Sequence, residues 1–274
     1  MQCIFCKEDS SGSKSVEHLI PQSLGNKHHF LPPGIVCDSC NNYFSKLEKE
    51  LLESPYFINL RFRNLIESKR GRIPIQKAVI TNPSEEIKIK INKKGEIIAR
   101  VKNTEIFNKI RKKKGGHIYF PFYNLPDKNN VIISRFIGKI GLEELAKTLI
   151  KSKKLLLELV KGEELNRLRN YVRYDETGHV WPYHLRRIYD EEKTSIINNA
   201  PNQQTLHEYR LLITDEKELF IVVAIMGVEY CLNMGRPDLS GYLKWLKEHN
   251  NDSPLDDKYE RNADLMKNPD IFKD

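Results

Sequence analysis

Two pairs of cysteines near the amino terminus limit what the first part of this chain can fold into. Cys3 and Cys6 form one C-x-x-C pair, Cys37 and Cys40 form a second, and 30 residues separate the pairs. Two such pairs can supply four thiolates to one tetrahedral Zn²⁺. Disulfides fit poorly because the chain begins without a signal-peptide pattern, and a redox motif needs only one pair. We therefore predict one structural zinc ion bound by all four cysteines.

The charge distribution separates this cysteine segment from the rest. The chain has 274 residues and a formal net charge of +8. Residues 61–114 contain 17 Lys and Arg against 5 Glu, a net charge of +12, whereas residues 1–54 and residues 116–274 each carry −2. A cation-rich stretch of this strength favours an acidic partner, nucleic acid above all. We predict that this basic belt, residues 61–114, contacts the phosphates, because the cysteine segment is acidic overall.

The remaining pattern indicates an α+β fold with two parts. We predict a small zinc-bound module at residues 1–54 and a larger mixed domain at residues 55–274. Residues 41–54 have apolar positions at helical spacing, and residues 86–101 alternate apolar and charged residues around a glycine turn, which predicts a β-hairpin. The longest apolar run, residues 219–227, is too short to cross a bilayer, so we expect a cytoplasmic protein.

The loop between the cysteine pairs carries the residues that suggest chemistry. It contains the adjacent Glu17 and His18, and Asn41 follows the last cysteine directly. If both pairs bind one zinc ion, the loop is tied at its two ends and the helix start lies close to it. An acid, an imidazole and an amide oxygen can then converge, which is what a hydrated Mg²⁺ site needs.

The motifs C-x-x-C, E-H-x-x-P, L-G-N and C-x-x-C-N-N, in this order, resemble the zinc-containing HNH endonucleases, also called ββα-metal nucleases. The subgroup whose last motif residue is Asn is the most similar, and the resemblance covers about the first 50 residues. It implies that Glu17 and His18 lie on the first strand of a hairpin and Asn41 at the start of the packed helix. It further implies that His18 is the general base, that Glu17 and Asn41 hold a catalytic Mg²⁺ that Mn²⁺ can replace, and that the cysteines bind structural zinc.

Two details of the resemblance stay open. The residue that supports His18 has three candidates, Asn26, His28 and His29. Asn42 would replace Asn41 as the metal ligand if the helix began one residue later.

The function that the resemblance implies is hydrolysis of DNA phosphodiester bonds, with double-stranded DNA as the expected substrate and a setting in restriction or phage defence. A zinc-dependent nucleic-acid-binding or adaptor protein without catalysis is the alternative. Residues 116–274 are candidates for contacts with a second copy or a partner protein. The predicted nucleic-acid contacts are Lys27, His28, Arg111, Lys112, Lys113 and Lys114.

Overall fold

The computed structural model describes residues 1–81, 84–92, 94–112, 117–174, 178–197 and 200–256. Helices and antiparallel sheets are both present, which confirms the predicted α+β class. The helices are α1 (Asp38–Glu53), α2 (Pro55–Arg63), α3 (Thr104–Lys112), α4 (Val131–Leu149), α5 (Lys153–Lys161), α6 (Asn166–Tyr174), α7 (Ser240–Glu248) and a short 3-10 helix at Gln22–Leu24. The strands are β1 (Glu17–His18), β2 (Phe30–Leu31), β3 (Gln76–Ile80), β4 (Glu85–Ile91), β5 (Ile97–Arg100), β6 (Ile118–Tyr119), β7 (Tyr183–Arg187), β8 (Thr194–Ile197), β9 (Ala200–Gln204), β10 (His207–Ile213), β11 (Leu219–Ile225) and β12 (Val228–Asn233).

Two compact units divide the chain. The first unit comprises Met1–Ile20, His28–Glu48 and the chain from Asp127 onward, and the second comprises Pro21–Lys27 and Lys49–Pro126. Each unit is therefore assembled from separate stretches of sequence. These units are defined by compact packing, whereas the predicted boundary between residues 54 and 55 was based on sequence motifs. That boundary therefore stays a prediction.

The amino-terminal segment forms two short strands followed by a helix. β1 and β2 pair antiparallel, with Glu17 opposite Leu31 and His18 opposite Phe30. α1 begins at Asp38, earlier than the predicted start at Asn41, so Asn41 is its fourth residue. This is the strand–strand–helix order that the sequence resemblance implied.

Asp38 and Pro55 mark where α1 begins and where it gives way to α2. The carboxylate of Asp38 at the start of α1 accepts hydrogen bonds from the backbone N–H groups of Lys14 and Ser15. A carboxylate in the first turn also suits the positive end of the helix dipole. Pro55 ends α1, as predicted, and it is also the first residue of α2 because proline lacks the N–H that a first helical turn leaves unpaired.

In the first unit, α4 packs closely against a helix and a sheet. The sheet has the strand order β10-β11-β12-β7, and β11 and β12 are buried along their whole length. Gly138 allows the close approach of α6, since a Cβ atom there would lie 2.7 Å from a methyl group of Val172. Gly141 does the same for β11, where a Cβ atom would lie 2.9 Å from Ile221. The two glycines of α4 therefore serve packing rather than flexibility.

In the second unit, a sheet with the order β5-β4-β3-β6 has one covered face. Its core consists of inward-facing residues of β3 and β4 together with Phe62 of α2, and Ile110 of α3 packs against this cluster. The predicted hairpin is confirmed, with β4 and β5 joined by a turn in which Gly95 has a φ of 80°. Glycine suits this position because other residues rarely adopt a positive φ.

None of the helices in the described residues is both long and apolar enough to cross a membrane.

Candidate metal centre and active site

The four cysteines converge on one point of the first unit. The Sγ atoms of Cys3, Cys6, Cys37 and Cys40 all lie within 4.8 Å of one another, and those of Cys6 and Cys37 are 3.6 Å apart. Zn–S bonds of about 2.3 Å in a tetrahedron place the sulfurs about 3.8 Å apart. The donor set and its spacing therefore fit one tetrahedral zinc ion, as the sequence predicted.

Basic residues of α6 contact the cysteine cluster from outside the cysteine segment. Arg173 donates from Nε to the Sγ of Cys40 at 3.4 Å. Arg169 is almost fully buried and donates from Nε to the carbonyl oxygen of Ile4, between the first two cysteines, at 2.8 Å. Four thiolates around one Zn²⁺ leave a net charge of −2, which the cation of Arg173 partly offsets. The first C-x-x-C loop is thus anchored to a helix more than 150 residues away in sequence.

Glu17 points into the interior of the unit, where it meets a buried lysine. Lys139 of α4 is fully buried, and its Nζ atom lies 2.8 Å from Oε1 of Glu17. The same ammonium lies 3.1 Å from Glu48 of α1 and 3.0 Å from Glu143 of α4. It also donates to the carbonyl oxygen of His18 at 3.2 Å. One lysine therefore holds β1, α1 and α4 together.

The cluster contains three carboxyl groups and one ammonium group, and the pKa values of Lys139, Glu48 and Glu143 are shifted as a result. Burial raises the pKa of Glu48 and raises that of Glu143 well above its usual value, although Lys139 opposes both effects. Burial acts to lower the pKa of Lys139, but the carboxylates of Glu143, Glu17 and Glu48 outweigh it and raise the pKa well above its usual value. The ammonium of Lys139 is therefore held in its charged form.

Asn41 lies against the strand that carries the acid–imidazole pair. Its Nδ2 atom donates to the backbone carbonyl of Val16, the residue before Glu17, at 3.4 Å. Asn42, the alternative ligand, is exposed to solvent. The start of α1 therefore brings Asn41 next to β1, while the carboxylate of Glu17 turns towards Lys139. Carboxylate and amide oxygens are hard donors of the type that Mg²⁺ prefers, so the residue types fit such an ion.

The three candidates for supporting His18 have different surroundings. His29 engages Tyr209 of β10, with 2.6 Å between its Nδ1 atom and the tyrosine hydroxyl. His28 is exposed, and Asn26 is fully buried. His18 itself is partly buried on β1, and its ring lies 6.2 Å from that of Phe30. The choice among the three stays open.

Comparison with known families identifies the amino-terminal segment. Residues 3–55 match the family model described as HNH endonuclease. These residues are an HNH endonuclease domain. The match spans the cysteine cluster, both short strands and α1. No curated protein and no solved structure matches the chain.

The HNH domain implies nucleic-acid binding, and the predicted contact residues lie at different places in the fold. Lys27 and His28 are exposed next to each other in the loop between β1 and β2. Arg111 and Lys112 are exposed in the last turn of α3. Lys113 and Lys114 lie outside the described residues.

Lys139 and Arg173 contact the HNH domain from elsewhere in the chain, and the sequence analysis missed both. Both belong to helices far from residues 3–55, and single cations in amphipathic helices normally face solvent. Tyr43 of α1 is also engaged from outside, since the guanidinium of Arg173 lies 4.0 Å from its ring centre and Arg135 donates to its hydroxyl. The sequence signal that could have pointed to Lys139 is the surrounding I-G-K-I-G, a lysine flanked by apolar and small residues.

Proposed function

We propose that this protein is a metal-dependent endonuclease that hydrolyses phosphodiester bonds of double-stranded DNA. The observation that carries the proposal is the HNH domain at residues 3–55, in which Asn41 of α1 donates to Val16, the residue directly before the strand that bears Glu17 and His18. The clustering of the four cysteine sulfurs within 4.8 Å of one another supports it, because a zinc ion bound there would fix both ends of the loop that carries these residues.

In the proposed reaction His18 is the general base. A neutral imidazole removes a proton from the attacking water near pH 7, and the water then attacks the scissile phosphorus. Glu17 and Asn41 provide oxygen ligands for a divalent cation, Mg²⁺ with Mn²⁺ as a substitute. When bound, such an ion neutralises the negative charge that develops on the phosphate and the leaving oxygen.

The ion pair with Lys139 is compatible with a metal-binding role of Glu17. A carboxylate has two oxygens, and Lys139 engages Oε1. The ion pair restricts the side chain of Glu17, and hydrogen-bonded ligands of this kind bind metals more tightly than mobile ones. The bond from Lys139 to the carbonyl of His18 further fixes β1.

Replacing His18 with alanine tests the proposal. We expect the variant to bind duplex DNA as the unmodified protein does and to lose at least about 100-fold in cleavage rate, the usual contribution of a general base. The measurement is nicking of a supercoiled plasmid with Mg²⁺ or Mn²⁺, with His179→Ala, at an exposed histidine outside residues 3–55, as the control. Thermal unfolding and zinc content of both variants show that they remain folded.

Two outcomes of this assay contradict the proposal. Metal-dependent cleavage that persists in His18→Ala removes His18 as the base. Absence of cleavage by the unmodified protein, together with tight DNA binding, favours the alternative of a zinc-dependent nucleic-acid-binding or adaptor protein.

The exposed cations at the end of α3 provide a second test. We propose that Arg111 and Lys112 contact DNA phosphates, with Lys27 and His28 as further contacts. The double variant Arg111→Gln/Lys112→Gln should weaken duplex binding for all sequences alike. The slope of log affinity against log salt concentration should become smaller by about 2, one for each lost phosphate contact. Fluorescence anisotropy at several salt concentrations measures this. An unchanged salt dependence would exclude both residues from the interface.

The wider setting remains a proposal from the resemblance alone. Restriction or phage defence in the cytoplasm suits a nuclease that carries a large additional domain. Contacts with a second copy or a partner protein through residues 116–274 are also proposed, and sedimentation of the purified protein with and without DNA tests them.

A further inference from the structure

The sheet of the second unit has a covered face and an open face. Alternate residues of β3 and β4, such as Ala78 and Ile89, are buried against the core of this unit. The residues between them point the other way and are exposed. With their cross-strand neighbours on β5 and β6 they form the open face, which consists of Lys77, Val79, Glu86, Lys88, Lys90, Ile98, Arg100 and Tyr119.

Three cations stand in one row across the open face. Lys77 of β3 lies directly opposite Lys88 of β4, and Lys88 lies directly opposite Arg100 of β5. Neighbouring strands are about 4.8 Å apart, so the row spans about 10 Å. Like charges directly opposite one another destabilise a sheet. The row therefore lowers the stability of the second unit, and an external anion would relieve the repulsion.

Few acidic groups balance this row. The one carboxylate on the open face, Glu86, lies 3.5 Å from Lys77, and both side chains are largely exposed. Exposed pairs of this kind contribute little and are screened by salt. Among the described residues, neither Lys88 nor Arg100 forms an ion pair. Both cations thus remain accessible to an anion in solution.

The open face is separate from the cations of α3. Ile110 of α3 packs against the covered face of the same sheet. Arg111 and Lys112 therefore lie on the other side of the sheet from the row of Lys77, Lys88 and Arg100. The basic belt predicted from the sequence as one feature forms two distinct surfaces.

We propose that the open face binds the phosphate backbone of duplex DNA, an inference that rests on the proposed function and names the surface that holds its substrate. A sequence-independent backbone contact needs cations and no base readout, and the open face offers cations in a regular array. Single strands are usually held by several stacking aromatic residues, whereas Tyr119 is the one aromatic residue of this face in the described part of the unit. The chemistry of the face therefore suits a duplex backbone.

The test is a triple variant, Lys77→Gln/Lys88→Gln/Arg100→Gln, in the 274-residue chain, which also carries His18→Ala to prevent cleavage. Fluorescence anisotropy with a 30-base-pair duplex, without added divalent cation, is measured from 50 to 200 mM salt. We expect at least about a 10-fold loss of affinity at 100 mM salt and a salt slope that is smaller by about 2 to 3. We also expect an unchanged or higher Tm, because the like-charge row has been removed.

The matched control is Lys151→Gln/Lys153→Gln/Lys154→Gln, which removes the same charge from exposed positions near the start of α5. We expect its affinity to change less than about 3-fold. Equal losses in the two triple variants would show an effect of net charge and overturn the proposal. An unchanged duplex affinity in the open-face variant, or a loss confined to a single-stranded probe of the same length, would also overturn it. Because binding is measured without catalysis, failure here leaves the cleavage assay of His18→Ala unaffected.

Discussion

Replacing Cys37 with serine is expected to release the zinc ion and unfold the HNH domain. The four sulfurs are already grouped for tetrahedral coordination, and the backbone N–H of Cys37 also donates to Sγ of Cys3 at 3.3 Å. Structural zinc contributes on the order of 10 kcal/mol to the folding of small zinc domains. Two short strands and one helix cannot replace that contribution with an apolar core.

Elemental analysis and thermal unfolding measure this expectation. The unmodified protein should contain about one zinc ion per chain, and Cys37→Ser should contain close to none and have no cleavage activity. Cys231→Ala is the matched control, because Cys231 is the fifth cysteine and lies fully buried in β12, away from the cluster. It should keep its zinc. Full zinc content and unchanged unfolding in Cys37→Ser would show that the cluster is not a structural metal site.

Replacing Lys139 with methionine is expected to lower the free energy of unfolding by about 3–5 kcal/mol, the usual cost of leaving buried charges without their partner. The substitution keeps the volume of the side chain but removes the ammonium that lies between three carboxylates. Glu17, Glu48 and Glu143 must then take up protons or draw in water. Either response loosens the contact of β1 with α1 and α4, and we therefore expect cleavage to fall as well.

Urea unfolding at pH 7 measures the loss. Lys154→Met of α5 is the control because the side chain of Lys154 is 85% exposed and its pairing with Glu158 is longer, at 3.9 Å. We expect the control to lose about 1 kcal/mol or less. A loss of less than about 1 kcal/mol in Lys139→Met would mean that the buried ion cluster does not hold the domain together.

The HNH domain depends on contacts with helices that lie far away in the sequence. The strand that carries Glu17 and His18 has only two paired residues, and hydrogen bonds to one neighbouring strand cannot fix it alone. Lys139 of α4 contacts this strand directly, and Arg169 and Arg173 of α6 contact the cysteine segment on either side of it. The HNH segment is therefore anchored by residues that lie more than 80 positions further along the chain.

The sequence by itself determined the local features of this protein. The two C-x-x-C pairs predicted the cysteine cluster, because each pair brings two sulfurs to one metal through local backbone geometry. The alternation in residues 86–101 likewise determined the β4–β5 hairpin, since a strand period of two and a turn glycine are local properties. The order of the motifs was enough to identify the HNH domain, which depends on residues that lie close together in the chain.

Only the tertiary structure decided which distant residues complete the site. The role of Lys139 could not be predicted from the sequence of α4. That sequence does not reveal that Glu17 of β1 and Glu48 of α1 join Glu143 around this lysine. The division of the basic belt into two surfaces could not be predicted for the same reason. The residues of one charged stretch go to the two sides of a sheet, and that depends on strand register and on where Ile110 packs. Long-range packing decides which face of a sheet is covered and which distant residues surround a buried lysine, and local sequence patterns do not identify those partners.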